Sequence, residues 1–288
     1  MGKSKATRIE SPPSELIQAI NDKKCVVFVG AGLSQGAGYP SWPQLLKKLT
    51  DRCEREGTPA SRVKAIRSLI SSNDTIKYLM AAEDLRDCIG PDKFVGLLAD
   101  EFQDDSMVPT AAHEQLPKIG FRGAITTNYD KLIEYTYAKA RAGRTPPTYT
   151  SNDAADLADA LFKERFFILK AHGDIEKRST LVLTEKDYRD VFYRRPGYKT
   201  ALSTIFTTRS VLFLGASLAD PEMWLLLGYL HDCFHGSGTY HYALLPNGDE
   251  AETMFNRWKN DFQVNCIHYD ASADHREVAE FLKSLPQT

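Results

Sequence analysis

Apolar residues run without interruption at residues 25–29 (CVVFV), 166–171 (FFILKA, broken only at its lysine) and 211–215 (VLFLG). Runs of this kind, free of polar alternation, read as strands covered on both faces. Shorter or mixed runs predict further strands at 121–127 (FRGAITT), 180–183, 240–245 and 264–269. Elsewhere apolar residues recur three or four positions apart, as at Leu45, Leu46 and Leu49, which share one helix face. That spacing predicts helices at 15–21, 44–56, 60–71, 75–88, 91–102, 110–118, 131–142, 153–162, 185–191, 198–208, 221–234 and 276–285. Ser14 is placed to cap the first helix, Pro43 to start the second, and Asp220-Pro221-Glu222 to start the one at 221–234. Residues 38–43, with two prolines and a tryptophan, read as a rigid extended connector, and 144–150, with Pro146-Pro147, as a loop.

Strands alternating with helices predict an α/β, Rossmann-like, mostly parallel sheet with helices on both faces. Residues 58–107 contain no convincing strand and read as a helical insertion or subdomain on one domain spanning 1–288, with 1–13 as a loose arm. At 42% hydrophobic the chain can bury a sizeable core, and 36 basic against 38 acidic residues leave a net charge of −2. No global field is available to hold nucleic acid. No apolar run approaches the ~18 residues of a membrane span, and the polar start MGKSKATRIE lacks a signal-peptide core, so a cytoplasmic protein is expected. Five scattered cysteines with no CxxC fit reduced core thiols and exclude a four-cysteine zinc site.

In such a sheet, ligands sit beyond the carboxyl ends of the strands. Four strand ends carry small or polar groups: Gly30-Ala31-Gly32-Leu33-Ser34, Asn128-Tyr129-Asp130, His172-Gly173-Asp174 and Gly215-Ala216-Ser217. The glycine loop suits a phosphate on backbone N–H groups. Each feature also has a plainer reading: a tight turn at the glycines, a strand end at Asn128, a helix cap at Asp130, a structural histidine at 172. Their coincidence on one edge favours a ligand. The acid that a dehydrogenase places about twenty residues past the glycines falls inside a helix, at Asp51 and Glu54, and no Gly-Lys-Ser/Thr follows, so neither a hydride-transferring enzyme nor a P-loop is expected. His231, Cys233 and His235 lack a carboxylate partner and read as a helix end, not a metal site. Residues 188–195 (YRDVFYRR) read as a solvated helix face.

Gly30-Ala-Gly-Leu-Ser34 with Gly38-Tyr-Pro40, then Thr127-Asn128-Tyr-Asp130, His172-Gly173 and Gly215-Ala-Ser217 resemble the ordered signature of the sirtuin fold. The resemblance covers roughly residues 22 to 270. It implies NAD as substrate, with phosphates on Gly30, Ala31, Gly32 and Ser34, ribose near Asn128 and Asp130, His172 facing the nicotinamide ribose, and Gly215 and Ser217 holding the far part. The paired cysteines of the deacylating members are missing, and Ser41-Trp42 stands where they carry Asp-Phe. Leu183-Thr-Glu-Lys-Asp-Tyr188 and Gly215-Ala-Ser-Leu-Ala-Asp-Pro221 resemble the bacterial sirtuin-like branch associated with NAD hydrolysis in antiphage defence. That implies an NAD glycohydrolase using Asn128 and His172 as catalytic residues, with no metal. The chain leaves no room for a fused sensor, so the resemblance also implies self-assembly into a homo-oligomer, or a partner in trans such as a HerA-type ATPase or a short Argonaute. An NAD-dependent protein deacylase and a non-catalytic NAD- or ADP-ribose-binding module remain the alternatives.

Overall fold

The computed structural model describes residues 9–103, 106–216, 220–234, 238–247, 251–271 and 275–288. Its strands are β1 (Cys25–Val29), β2 (Gly123–Thr126), β3 (Thr148–Thr150), β4 (Ile168–Lys170), β5 (Ser210–Leu214), β6 (His241–Pro246) and β7 (Val264–Tyr269). They form one sheet in the order β3-β4-β2-β1-β5-β6-β7, and every pair is parallel. The helices are α1 (Ser14–Asn21), α2 (Ala31–Gln35), α3 (Trp42–Arg55), α4 (Ala60–Ser71), α5 (Thr75–Ile89), α6 (Pro91–Phe102), α7 (Leu132–Ala140), α8 (Ala154–Phe162), α9 (Glu185–Arg194), α10 (Pro196–Thr208), α11 (Pro221–Phe234), α12 (Ala251–Phe262) and α13 (Arg276–Lys283).

The unbroken apolar runs follow from this layering. Successive side chains of a strand point to opposite faces. Val26, Phe28, Val211 and Phe213 pack on one face against Leu202 and Ile205 of α10 and Leu226 of α11. Cys25, Val27, Val29, Leu212 and Leu214 pack on the other, with Leu16, Ile133 and Phe281 from α1, α7 and α13. Both faces are covered, so Cys25–Val29 of β1 and 211–214 of β5 are apolar throughout. A third core lies off the sheet, where Leu46, Ile66, Leu85 and Phe94 of α3–α6 meet Tyr129, Leu132 and Leu183 of the sheet layer. The helices read at 60–71, 75–88 and 91–102 are thus present, and they lean on the loops that follow β2 and β4.

The strand order reverses at β1: β2 lies on one side and β5 on the other. The crevice outside the carboxyl ends of such strands is where open α/β sheets bind ligands.

The structure departs from the sequence reading in a few places. Residues 144–150 are not all loop: Thr148–Thr150 form the edge strand β3, whose Pro146-Pro147 approach is permitted because an edge needs fewer backbone donors. Residues 180–183 are not a strand; a 3₁₀ turn at Arg178–Thr180 precedes an extended stretch. Pro13, not Ser14, precedes α1, and the Ser14 hydroxyl turns to Glu15. α3 begins at Trp42, one residue before Pro43, because Ser41 and Gln44 form a capping box there. The reading of residues 1–13 as an arm falls largely on 1–8, outside the described residues.

Candidate active site

The loops after β1, β2, β4 and β5 line one cleft of about 480 Å³. That volume lies within the range of small-molecule sites. Gly30, Ala31, Gly32, Ser34, Asn128, Asp130, His172 and Gly215 all contribute to its walls. Ser217 lies outside the described residues. The roof comes from Trp42 at the start of α3 and from Asn73 and Tyr78 of the helical insertion, and the sequence pattern carries no sign that the insertion contributes to the site.

The glycines also meet a packing need within the chain itself. A Cβ on Gly30 would sit 2.6 Å from the carbonyl oxygen of Gly215, and one on Gly32 would sit 2.8 Å from it. The Gly30 N–H donates to the Leu214 carbonyl (2.9 Å) and the Gly32 N–H to that of Gly215 (2.8 Å). What comes close to the loop is therefore the end of β5, drawn in across a glycine pair. The Ala31 N–H, at the first position of α2, has no intrahelical partner by its place in the helix.

Ser34 is buried and links this loop to its neighbour. Its hydroxyl accepts from Asn128 Nδ2 (2.9 Å) and bonds the Asp130 carboxylate. Asn128 Nδ2 also donates to the Gly30 carbonyl (3.1 Å). Both amide hydrogens are thereby held, which fixes the direction of Asn128 Oδ1. That oxygen is buried and has no hydrogen-bond partner among the described residues. A buried acceptor left open costs about 1–3 kcal/mol, and its place in the cleft wall gives that cost a use: a ligand hydroxyl or a water can fill it. Trp42 Nε1, in the roof, is a second buried group of this kind, a donor without a partner.

The Asn128 loop is braced from beneath. Lys170, fully buried at the end of β4, donates to the carbonyls of Tyr129 (3.0 Å) and Asp130 (2.7 Å) and pairs with Glu134 at 3.1 Å. Lys131 joins Asp174 (2.9 Å) and Glu176 (2.8 Å) beside it. Burial pushes the Asp130 carboxyl above its usual range. The Leu132 N–H, the Lys170 charge and the Ser34 hydroxyl offset this only in part.

The opposite wall is ionic. His172 Nε2 lies 3.1 Å from Asp220 Oδ2 and 3.2 Å from the Tyr188 hydroxyl, which itself donates to Asp220 Oδ2 at 2.9 Å. The His172 and Tyr188 rings meet edge to face, with centroids 5.1 Å apart. Burial alone would raise Asp220. The His172 charge and hydrogen bonds from His172, the Met223 N–H and Tyr188 outweigh burial and hold its carboxyl low. The sequence reading gave Asp220 only as a helix cap and Tyr188 as part of a solvated face. Asp220 does cap α11, accepting from the Met223 N–H at 3.2 Å. Its second oxygen serves the site, and Tyr188 turns inward from α9. The one signal that pointed to them was the pair of motifs in which they stand.

A family profile described as a SIR2-like domain matches residues 122–267, just over half of the chain. The match carries Asn128, Asp130, His172, Tyr188 and Asp220 and leaves the glycine loop outside. The chain is 30% identical to the "Defense-associated sirtuin 2" of Bacillus subtilis over 77% of its own length and 21% of that protein. It is 26% identical to the "NAD(+) hydrolase ThsA" of Bacillus cereus (strain MSX-D12), over 84% of this chain and 48% of the relative. The protein of the same name from Enterococcus faecium is 27% identical over 93% of this chain and 56% of its own. The chain thus spans from about a fifth to just over half of the relatives it matches.

Proposed function

This chain belongs to the SIR2-like family, and from that premise we propose that it hydrolyses NAD to nicotinamide and ADP-ribose, as an NAD-depleting effector of bacterial antiphage defence. The observation that carries the proposal is the open Asn128 Oδ1, fixed in direction in the lining of the cleft that His172 also lines. An acceptor held that way suits a sugar hydroxyl or the attacking water. The reaction breaks the bond between C1′ of the nicotinamide ribose and the pyridine nitrogen, whose electron pair leaves with nicotinamide. A water oxygen bonds C1′, and the proton it loses passes to His172 and on to solvent. The transition state has oxocarbenium character, so orientation and shielding count for more than nucleophilic push. Asn128 orients the ribose or the water, and His172 acts as the base. Gly30, Ala31, Gly32 and Ser34 shape the pyrophosphate side with Gly215 and Ser217, and Asp130 braces or binds the ribose. The helical insertion covers the reacting end as part of one NAD-binding domain. We also infer a cytoplasmic setting, and the resemblance of the two motifs supports control by self-assembly or by a sensor in trans. The test is etheno-NAD fluorescence with purified protein, alone and with candidate partners. Asn128→Ala and His172→Ala are expected to abolish turnover, and full turnover by both would overturn the proposal.

A further inference from the structure

Two motifs of the chain end in side chains with no place in the proposed chemistry: Tyr188 in Leu183-Thr-Glu-Lys-Asp-Tyr188 and Asp220 in Gly215-Ala-Ser-Leu-Ala-Asp-Pro221. Tyr188 stands in the first turn of α9 and Asp220 just before α11, and the fold brings both to one ring nitrogen. In the first, the Thr184 hydroxyl accepts from the Asp187 N–H, while Asp187 Oδ2 accepts from the N–H groups of Leu183 (3.2 Å) and Thr184 (3.0 Å). This reciprocal cap sets the start of α9. Asp187 Oδ1 also binds Arg86 of α5 at 2.7 Å, which ties α9 to the roof of the cleft. Tyr188, the next residue, is thereby aimed inward. In the second, Asp220 divides its two oxygens: Oδ1 caps α11 at the Met223 N–H, and Oδ2 faces His172 and Tyr188.

We propose that Asp220 and Tyr188 are positioning residues for His172, holding its ring proton on Nε2 so that Nδ1 is the nitrogen that accepts a proton. The proposal rests on the reading of His172 as the base. A carboxylate can only accept, and Tyr188 uses its one hydrogen on Asp220 Oδ2, so Nε2, 3.1 Å from that oxygen and 3.2 Å from the hydroxyl, faces two acceptors and is the nitrogen placed to carry the hydrogen. In the neutral imidazole the other nitrogen is then the acceptor, the tautomer being set by the bond its partner makes. Tyr188 donates to the same carboxylate oxygen, which keeps the tyrosine hydrogen away from Nε2 and leaves its oxygen lone pairs toward the ring. When His172 takes up a proton, Asp220 lies beside the resulting cation and stabilises it without accepting the proton. The ordering also explains the spacing of both motifs: each places a capping group that fixes a helix start within one turn of the side chain that meets the imidazole.

The test has two arms. The first is ¹⁵N NMR of histidine-labelled protein, with His172 assigned by His172→Gln. The wild type is expected to show His172 protonated at Nε2, and Asp220→Asn to shift that population toward Nδ1. Asparagine is as good a helix cap as aspartate, so α11 keeps its start. Tyr188→Phe keeps the ring contact and serves as the second variant. The second arm is NAD hydrolysis. Asp220→Asn is expected to lower kcat by roughly 10²–10³-fold, and Tyr188→Phe by about tenfold, with KM for NAD within about threefold in both, as a lost orientation of the base requires. A wild-type ring protonated at Nδ1, or an Asp220→Asn protein with unchanged spectrum and unchanged kcat, overturns the proposal. The expected spectra in a protein that does not cleave NAD would uphold it and count against the NAD reading instead.

Discussion

Asp130 and Asp220 line the same cleft, and their carboxyl groups are shifted in opposite directions. Burial dominates at Asp130 and moves it toward its neutral form. At Asp220 the neighbouring His172 and three hydrogen bonds overcome burial and fix the anion. Two carboxyl groups driven apart in this way mark a division of labour. The Asn128–Asp130 wall presents a fixed open acceptor and a carboxyl shifted toward its neutral form, which suits an uncharged sugar. The His172–Asp220 wall is charged and built for moving a proton. They also differ in support. The neutral wall rests on strands and on a buried lysine, whereas the ionic wall depends on two helices, α9 and α11, docking correctly.

Removing the brace is the most severe way to break this contrast. Lys170→Met leaves the buried Glu134 with only the more distant, partly exposed Lys131 at 3.6 Å and releases the carbonyls of Tyr129 and Asp130. Breaking a buried pair from one side costs about 3–5 kcal/mol, a fall in Tm on the order of 10 °C. Lys170→Met with Glu134→Met is expected to recover part of the stability and none of the activity, because Asn128 would still lack its support. An unchanged melting curve for the single variant would show that the neutral wall does not depend on the lysine.

Gly215→Ala attacks the other side. Gly215 has φ +60°, and a Cβ there would meet the Leu33 backbone nitrogen at 2.4 Å. The backbone must shift, at a cost of about 1–3 kcal/mol, and the displaced segment leads to Asp220. Loss of kcat together with weakened binding of ADP-ribose by calorimetry is expected, because the clash falls on the glycine loop of the pyrophosphate side as well. A lost kcat with an unchanged Kd for ADP-ribose would instead show that the strain is passed to Asp220 alone.

The carboxyl pair itself gives opposite signs against pH. Asp130 has a folded-state pKa above its ordinary 3.8. Its contribution to stability is therefore full below that value and declines as pH rises through the raised one. Asp130→Asn removes the decline and keeps an oxygen for the Leu132 N–H. The variant is therefore expected to gain in melting temperature on wild type as the pH is raised from below 3.8 to 8. Asp220 is depressed, so its stabilisation is present above 3.8 and is lost as pH falls through the lowered value. Asp220→Asn is accordingly expected to melt below wild type at both pH 5 and pH 8. Thermal denaturation over this pH range reads both signs in one experiment.

Much of this was legible in the chain. The runs at 25–29 and 211–215 gave the central strands because both faces are covered there, and the strand-end motifs gave the edge on which the cleft lies. What escaped was set by tertiary geometry. β3 has three residues and a proline-rich approach, so its pairing with β4 leaves no local pattern. The role of Gly30 and Gly32 could not be read because the close approach is made by Gly215, distant in sequence. Tyr188 sits among arginines and aspartates whose composition says solvent, and only the direction of α9 turns it inward. Lys170 reads as an interruption in an apolar strand, and its meaning lies in Glu134 and two carbonyls of another loop.

The smallest effect concerns the roof, which belongs to neither wall. Ser41 and Gln44 fix Trp42 at the start of α3, and its ring meets Tyr78 edge to face at 5.6 Å. Its Nε1 is buried in the cleft region without a partner among the described residues. Trp42→Phe keeps an aromatic ring and removes the donor. If the N–H serves the ligand, the loss of one neutral hydrogen bond, about 0.5–1.5 kcal/mol, raises KM for NAD by roughly two- to tenfold and leaves kcat alone. The free protein is relieved of an unsatisfied donor, so its Tm should hold or rise slightly despite the smaller ring. A lower kcat at constant KM would place the roof with the ionic wall, acting on the reacting centre. A lower Tm with both constants unchanged would reduce Trp42 to packing and leave recognition to Asn128 and its neighbours.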